Sequence, residues 1–241
     1  MFGRLDHLIK DPSEFTYYDV NVPYTAGKAI LGSKLEQHLY VLHTQNIKRN
    51  WNISANIQRL DNDGFFTTGT SQYNLGDFGT NYRSKNKKYA LYAHFAVSKH
   101  LNLENGGISD FESFEERLVT DLSLLNVNLA DAITSRKNNT MNLEQHFYLG
   151  KSVLTSTDSL AAPEFKPAHR IVVQSRMDNT RYRFRDNFSY LSGYDTTYFD
   201  STVTNDINQL LSYNNSFRFE RVMPMDSTSG NLYYSIGAKH S

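Results

Sequence analysis

The chain has 241 residues, no cysteine, and 25 basic and 25 acidic residues, so its formal charge is zero. The lack of cysteine excludes a disulfide-stapled scaffold and a cysteine-ligated metal site, and the charge balance argues against non-specific nucleic-acid binding. Aromatic residues make up 13% of the chain, yet only 21% of residues are charged and the mean hydropathy is -0.56. The polarity therefore comes from uncharged side chains, which is typical of strands with one polar and one apolar face.

The two ends of the sequence suggest a part of a longer precursor. Residues 1–10 lack the apolar core of a signal peptide, and no apolar run is long enough for a transmembrane helix. A strand-like alternation beginning at Leu232 continues toward the last residue. We therefore expect that a signal peptide was lost by truncation.

The clearest strand pattern covers residues 51–58. Its apolar positions are Trp51, Ile53, Ala55 and Ile57, and its polar positions are Asn52, Ser54, Asn56 and Gln58. Because a strand points successive side chains to opposite faces, this pattern predicts a strand whose reverse side is wholly neutral and polar.

The same alternation recurs in residues 89–98, 141–150, 170–177 and 216–220. Its polar positions include His94, His146, Arg170, Gln174 and Arg176. Altogether the chain predicts roughly eight or nine strands of about ten residues, a length that crosses a bilayer when the strand is tilted.

The predicted connections alternate between short and long. Residues 46–50, 84–87 and 225–230 are short, whereas residues 101–140 and 179–213 are long. This alternation is typical of an up-and-down membrane barrel, with turns on one side and loops on the other. The predicted fold class is therefore all-β: an antiparallel, up-and-down transmembrane β-barrel that is incomplete in this chain.

Two apolar clusters within the long connections predict local helices. The first lies within residues 110–125, where apolar side chains recur at near-helical spacing. The second is the shorter cluster of Ile207, Leu210 and Leu211.

No catalytic, nucleotide-binding or zinc-binding motif is present, and the eight histidines are dispersed. We therefore predict a non-enzyme without catalytic residues, cofactor or metal ligands. Trp51, Tyr82 and Tyr89 flank the short turns and are candidates for the aromatic girdle of a membrane barrel. Ordinary sheet packing in a soluble protein explains these three residues equally well.

Several strings resemble successive blocks of the putative porin family of Bacteroidetes outer membranes. They are Tyr17-Tyr18-Asp19 with Pro23-Tyr24-Thr25, the stretch from Glu36 to Asn52, Arg83 to Tyr89, and Glu104 to Ile108. The resemblance is strongest from Tyr17 to Ile108. It implies an outer-membrane barrel of porin type, in which residues 1–23 are an N-terminal lead-in segment. Residues 24–241 would then be part of a barrel domain that continues beyond the C-terminus.

The leading hypothesis is a passive diffusion channel in contact with outer-membrane lipid and small hydrophilic solutes, without nucleic acid as a partner. Its candidate lumen-facing residues are Asn52, Ser54, Asn56, Gln58, His94, Arg170, Gln174 and Arg176. Two alternatives stay open. One is a barrel used for adhesion or docking through its long loops, and the other is a soluble secreted β-sandwich that binds carbohydrate.

Overall fold

The fold is a single antiparallel sheet. The computed structural model describes residues 15–33, 35–64, 66, 68–109, 111–116, 118, 121–153, 163–187, 203–222 and 235–240. The strands are β1 (Tyr24–Leu31), β2 (Gln37–Lys48), β3 (Trp51–Asn62), β4 (Ser71–Arg83), β5 (Tyr89–Glu104), β6 (Ala132–Val153), β7 (Glu164–Asp186), β8 (Thr204–Arg221) and β9 (Ser235–His240). Each strand pairs with its neighbour in sequence, in the order β1 to β9. This order confirms the predicted up-and-down fold class.

The sheet is open. Within the described ranges, β1 pairs with β2 alone and β9 with β8 alone. The described strands form one sheet rather than the two packed sheets of a sandwich. The predicted connection at residues 225–230 and the start of the predicted alternation, residues 232–234, lie outside the described residues, and the alternation continues in β9.

The strands from β2 to β8 are longer than the predicted ten residues or so, whereas β1 has 8 residues and β9 has 6. β5 has 16 residues, β6 has 22 and β7 has 23. The β6–β7 ladder runs from Ile133↔Arg185 to Val153↔Glu164, with one irregularity at Leu149/Gly150. The two long connections shrink accordingly, to residues 105–131 and 187–203, because pairing with a neighbouring strand extends the ladder into polar sequence.

The helix predictions are partly wrong. Within residues 110–125 the structure has a short α-helix, α1 (Phe111–Glu115), and a 3-10 turn at Leu122–Leu124. Ile207, Leu210 and Leu211 lie inside β8, where they pair with Arg183, Thr180 and Asn179 of β7. Continuous cross-strand hydrogen bonding to β7 outweighs the weak helical preference of a three-residue apolar cluster.

The two faces of the sheet have opposite character. We call them the polar face and the apolar face after the side chains at the centres of the strands. In β3, for example, Asn52, Ser54 and Asn56 on the polar face are buried, whereas Ile57 on the apolar face is 65% exposed. This pattern indicates that the sheet curls toward its polar face, since curling crowds side chains on the inner side and spreads those on the outer side. A small apolar cluster of Tyr73, Leu75 and Ala96, with Leu60 against it, also lies on the polar face.

The connections alternate between the two ends of the strands. One end, the turn side, carries the β2–β3 turn and the β4–β5 turn at residues 84–88. The other end, the loop side, carries the described part of residues 105–131, together with the last residues of β7 and the first residues of β8. Among the described residues, no helix has the length and apolar character needed to span a membrane.

Candidate functional site

The polar face brings the eight predicted lumen-facing residues onto one surface. The strand register aligns Ser54, Gly79, His94, Asn142 and Arg176 in one row across five strands. Their contact with a solute stays a prediction. Because of this register, predicted residues of β3, β5 and β7 lie at the same level along the strands.

The β3 residues of this surface are held by hydrogen bonds to side chains of the neighbouring strands. The Asn52 amide donates to Thr44 Oγ1 at 3.1 Å and to Asn46 Oδ1 at 2.7 Å. The Asn56 amide donates to Asp77 Oδ2 at 3.0 Å. Gln58 Nε2 lies 3.2 Å from the His38 imidazole, nearer the loop side. These side-chain hydrogen bonds join β3 to β2 and β4 and form a hydrogen-bonded lining.

The three β7 residues of this surface are Arg170, Gln174 and Arg176. Gln174 contacts β6 and Arg170 contacts β8. Gln174 donates to Asn142 Oδ1 at 2.8 Å. Arg176 Nε donates to Asp178 Oδ2 at 2.5 Å. Arg170 Nε donates to Glu220 Oε2 at 2.6 Å and lies toward the turn side, far along the strands from Gln58.

A charged cluster around Arg170 was missed by the sequence reasoning. Glu144 lies 2.5 Å from His146 Nε2 and 3.6 Å from Arg218. Arg218 in turn lies 3.1 Å from Glu220, whose side chain is 7% exposed. The signal was available, since Glu144 and His146 alternate with apolar residues in β6, as Arg218 and Glu220 do in β8. The cluster holds both signs of charge, so it offers sites to cations and anions alike.

The N-terminal segment, residues 15–23, also lies on the polar face. The Phe15 ring stacks on the His94 imidazole with centroids 4.4 Å apart. Tyr17 contacts Tyr92 edge-on at 5.1 Å, and the Asn46 amide donates to Asp19 Oδ1 at 2.9 Å. Burial raises the pKa of Tyr17 to about 12, against a smaller lowering effect of the Asn142 side chain.

A glycine makes room for this segment. A Cβ atom on Gly79 would lie 2.2 Å from Phe15 Cζ, far closer than real Cβ contacts allow. On the other face of the same strand, a Cβ atom on Gly76 would meet nothing within 4 Å. The sequence offered a faint signal, the alternation of Phe15 and Tyr17 before β1, but only the register places them over Gly79 and His94.

The three girdle candidates lie on the apolar face near the turn side. Trp51 pairs with Tyr82 across β3 and β4, and its Nε1 donates to Thr80 Oγ1 at 2.9 Å. Tyr89 packs against Phe147 at 5.3 Å and donates its hydroxyl to Gln145 Oε1 at 3.1 Å. Trp51 and Tyr89 thus each have a ring on the apolar face and a hydrogen-bonded polar atom, as an interfacial aromatic side chain requires.

The described residues contain no group of three or more histidine, aspartate or glutamate side chains that could hold a metal ion. The chemistry of the polar face is therefore that of hydrogen bonds, aromatic rings and paired charges.

Comparison with known proteins gives one informative match. The family model described as "Putative porin" matches residues 1–235, nearly the whole chain. A solved structure described as "Pore forming protein" aligns with 80% of this chain and 96% of its own, at 8% identity and a TM-score of 0.14, and it carries no argument. No curated protein matches significantly.

Proposed function

Because this chain belongs to the putative porin family, we propose that it forms an outer-membrane channel through which small hydrophilic solutes diffuse passively. The observation that carries the proposal is that the sheet buries its polar face and exposes its apolar face. Its polar face is buried and hydrogen-bonded, while apolar side chains such as Phe95 and Phe217 are 43% and 49% exposed on the other face. In water this arrangement would expose large apolar surface, whereas in a bilayer it would match the lipid.

The mechanism follows from the two faces. The apolar face would contact lipid, and the polar face would border water inside a closed barrel, since an open sheet edge in lipid leaves backbone groups unpaired. Passage would then depend on the width and charge of the lumen. The paired charges around Glu220 supply both signs, so we expect a weak preference between cations and anions and a selection chiefly by size.

The Phe15–Asp19 segment would narrow this channel. It covers the polar face of β4 and β5 at the level of His94, so solutes would pass beside it. We expect the double substitution Phe15→Ala and Tyr17→Ala to raise conductance and admit larger sugars. Phe78→Ala with Phe95→Ala removes two rings from the apolar face instead, and should leave the size limit unchanged.

Purified protein in planar bilayers and in liposomes tests the function. We expect stepwise conductance, together with liposome swelling in small sugars that declines as the sugar grows. A correctly inserted, heat-modifiable barrel that gives neither conductance nor swelling would refute the channel.

A second function, docking through the loop side, is favoured by the exposed residues of the 105–131 connection. Phe111, Leu118 and Leu124 are 61%, 67% and 72% exposed. The base of the connection is ordered, with an Ile108↔Val127 bridge and an Asn128 N to Gly107 O hydrogen bond of 3.0 Å. Replacing these three apolar residues by serine should then abolish adhesion of cells that display the protein, with solute flux unaltered. Adhesion that survives the substitution would contradict the docking role.

A further inference from the structure

A row of basic side chains crosses the apolar face toward the loop side. The register joins Arg59, Lys99, Lys137 and Arg181 at one level of the sheet, with Asn74 between the first two. We call these four residues the basic row. Four of the five strands from β3 to β7 each place one positive charge at this level.

The basic row lies one membrane-crossing length from the aromatic positions near the turn side. In β5 the outward residues between Tyr89 and Lys99 are Leu91, Ala93, Phe95 and Val97. In β3 the residues between Trp51 and Arg59 repeat this arrangement. The spacing is eight residues in β3 and ten in β5, close to the 9–11 or so that a tilted strand needs to cross a bilayer. The row therefore lies where the apolar band ends.

The charges of the row are accessible and largely uncompensated. Lys99, Lys137 and Arg181 are exposed, and among the described residues none of these three has an ion-pair partner. Arg59 does pair, with Asp61 on the same face at 2.5 Å.

Further basic residues follow on the same face. Beyond the row toward the loop side lie Arg183 and Arg185, whose guanidinium groups donate to the neutral Asn205 and Asn187. Asn187 also donates to Asp131, so two acidic side chains, Asp61 and Asp131, are opposed by six basic side chains in this region.

We propose that the basic row is a binding site for anionic, phosphate-bearing lipid headgroups of the leaflet on the loop side. This inference rests on the proposed membrane-channel function, since the row meets headgroups only when the apolar face is embedded. Headgroup phosphates lie at the edge of the apolar band, where exposed lysine and arginine side chains attract them. The long stems of the basic side chains cover apolar surface while their charges reach the interface.

Lipid retention by the full chain tests the site. The protein is reconstituted with neutral phosphatidylcholine plus either phosphatidylglycerol or lipid A, and the lipids that stay bound after detergent extraction are counted by native mass spectrometry. The test variant is Lys99→Gln/Lys137→Gln/Arg181→Gln. The control is Lys85→Gln/Lys87→Gln/Lys88→Gln, which removes the same charge from the β4–β5 turn.

We expect the wild type to retain anionic lipid, with affinity that falls as salt rises. The row variant should bind about fivefold more weakly for each basic residue removed, or about a hundredfold for all three. The turn-side control should keep the wild-type affinity. Equal loss in both triple variants, or no preference of the wild type for anionic over neutral lipid, would overturn the proposal.

The lipid-binding test and the test of the proposed channel can fail independently. Flotation with liposomes and heat modifiability report insertion, and conductance reports the channel. A protein that inserts and conducts but shows no lipid preference refutes only the basic row. A protein that fails to float with liposomes of either composition refutes the proposed function and the basic row together.

Discussion

The polar and apolar faces of the sheet differ in how much of each side chain is exposed. On the polar face, Thr44, Thr140 and His94 are 0%, 1% and 3% exposed. On the apolar face, Ile57, Met141 and Tyr213 are 65%, 51% and 55% exposed. A water-soluble sheet buries its apolar side, so this distribution supports the proposed contact of the outer face with lipid.

The comparison shows how alternation of polar and apolar residues can build a sheet with its polar side buried and its apolar side exposed. On the inner face, polar side chains of neighbouring strands hydrogen-bond to each other, as Thr180 does when it donates to Asn138 Oδ1 at 2.7 Å. Most central positions of the outer face carry apolar side chains, such as Ile57, Phe95 and Met141, which would need no hydrogen-bond partner in lipid. A substitution that places a charged side chain on the apolar face should therefore destabilise the folded barrel. The loss of stability should grow with the distance of the substituted residue from water.

The largest effect is expected from a charge on the apolar face. Ala55→Arg places a guanidinium midway between Trp51 and Arg59 in the apolar band and should destabilise the folded barrel by about 2–4 kcal/mol. Gln58→Arg, three residues on, points to the polar face and should cost far less. Denaturant unfolding in lipid vesicles, followed by gel mobility, measures both. Equal destabilisation by the two variants would contradict the assignment of faces.

An intermediate effect is expected from the charged cluster. Glu220→Gln leaves Arg170 and Arg218 without their shared carboxylate, and we expect a loss of about 1–2 kcal/mol, since Arg170 is 36% exposed and partly screened. Glu164→Gln breaks the exposed Lys87–Glu164 pair of 3.0 Å and should not measurably change stability. Glu220→Gln should also shift the reversal potential in a salt gradient toward anions. A shift toward cations would be inconsistent with a lumen on this face.

The smallest effect is expected at the aromatic positions. Trp51→Ala removes an interfacial ring and its hydrogen bond to Thr80, and should cost about 1 kcal/mol. Trp51→Phe keeps the ring body and should cost less. Because Trp51 is the single tryptophan of the chain, its fluorescence also reports depth. Brominated lipids labelled near the headgroup should quench it more than those labelled at the bilayer centre, and the reverse order would refute the girdle assignment.

The sequence was sufficient for the sheet but not for its contacts. Alternation in residues 51–58 and 141–150 correctly assigned their side chains to two faces, because a strand has a period of two. The helix predicted around Leu210 was wrong because pairing with β7 decides the conformation there, and pairing is a non-local property. The position of Phe15 over Gly79 and the alignment of the basic row likewise depend on register, which connects residues far apart in the chain.

The most direct test of the central claim is cysteine accessibility along β8, since the chain has no cysteine of its own. Single cysteines at positions 212 to 217 alternate between the polar face, at Ser212, Asn214 and Ser216, and the apolar face, at Tyr213, Asn215 and Phe217. In the membrane-inserted protein, the even positions should react with a charged, water-soluble thiol reagent and the odd positions should be protected. Uniform reactivity, or protection of the even positions, would contradict a barrel with a water-lined polar face.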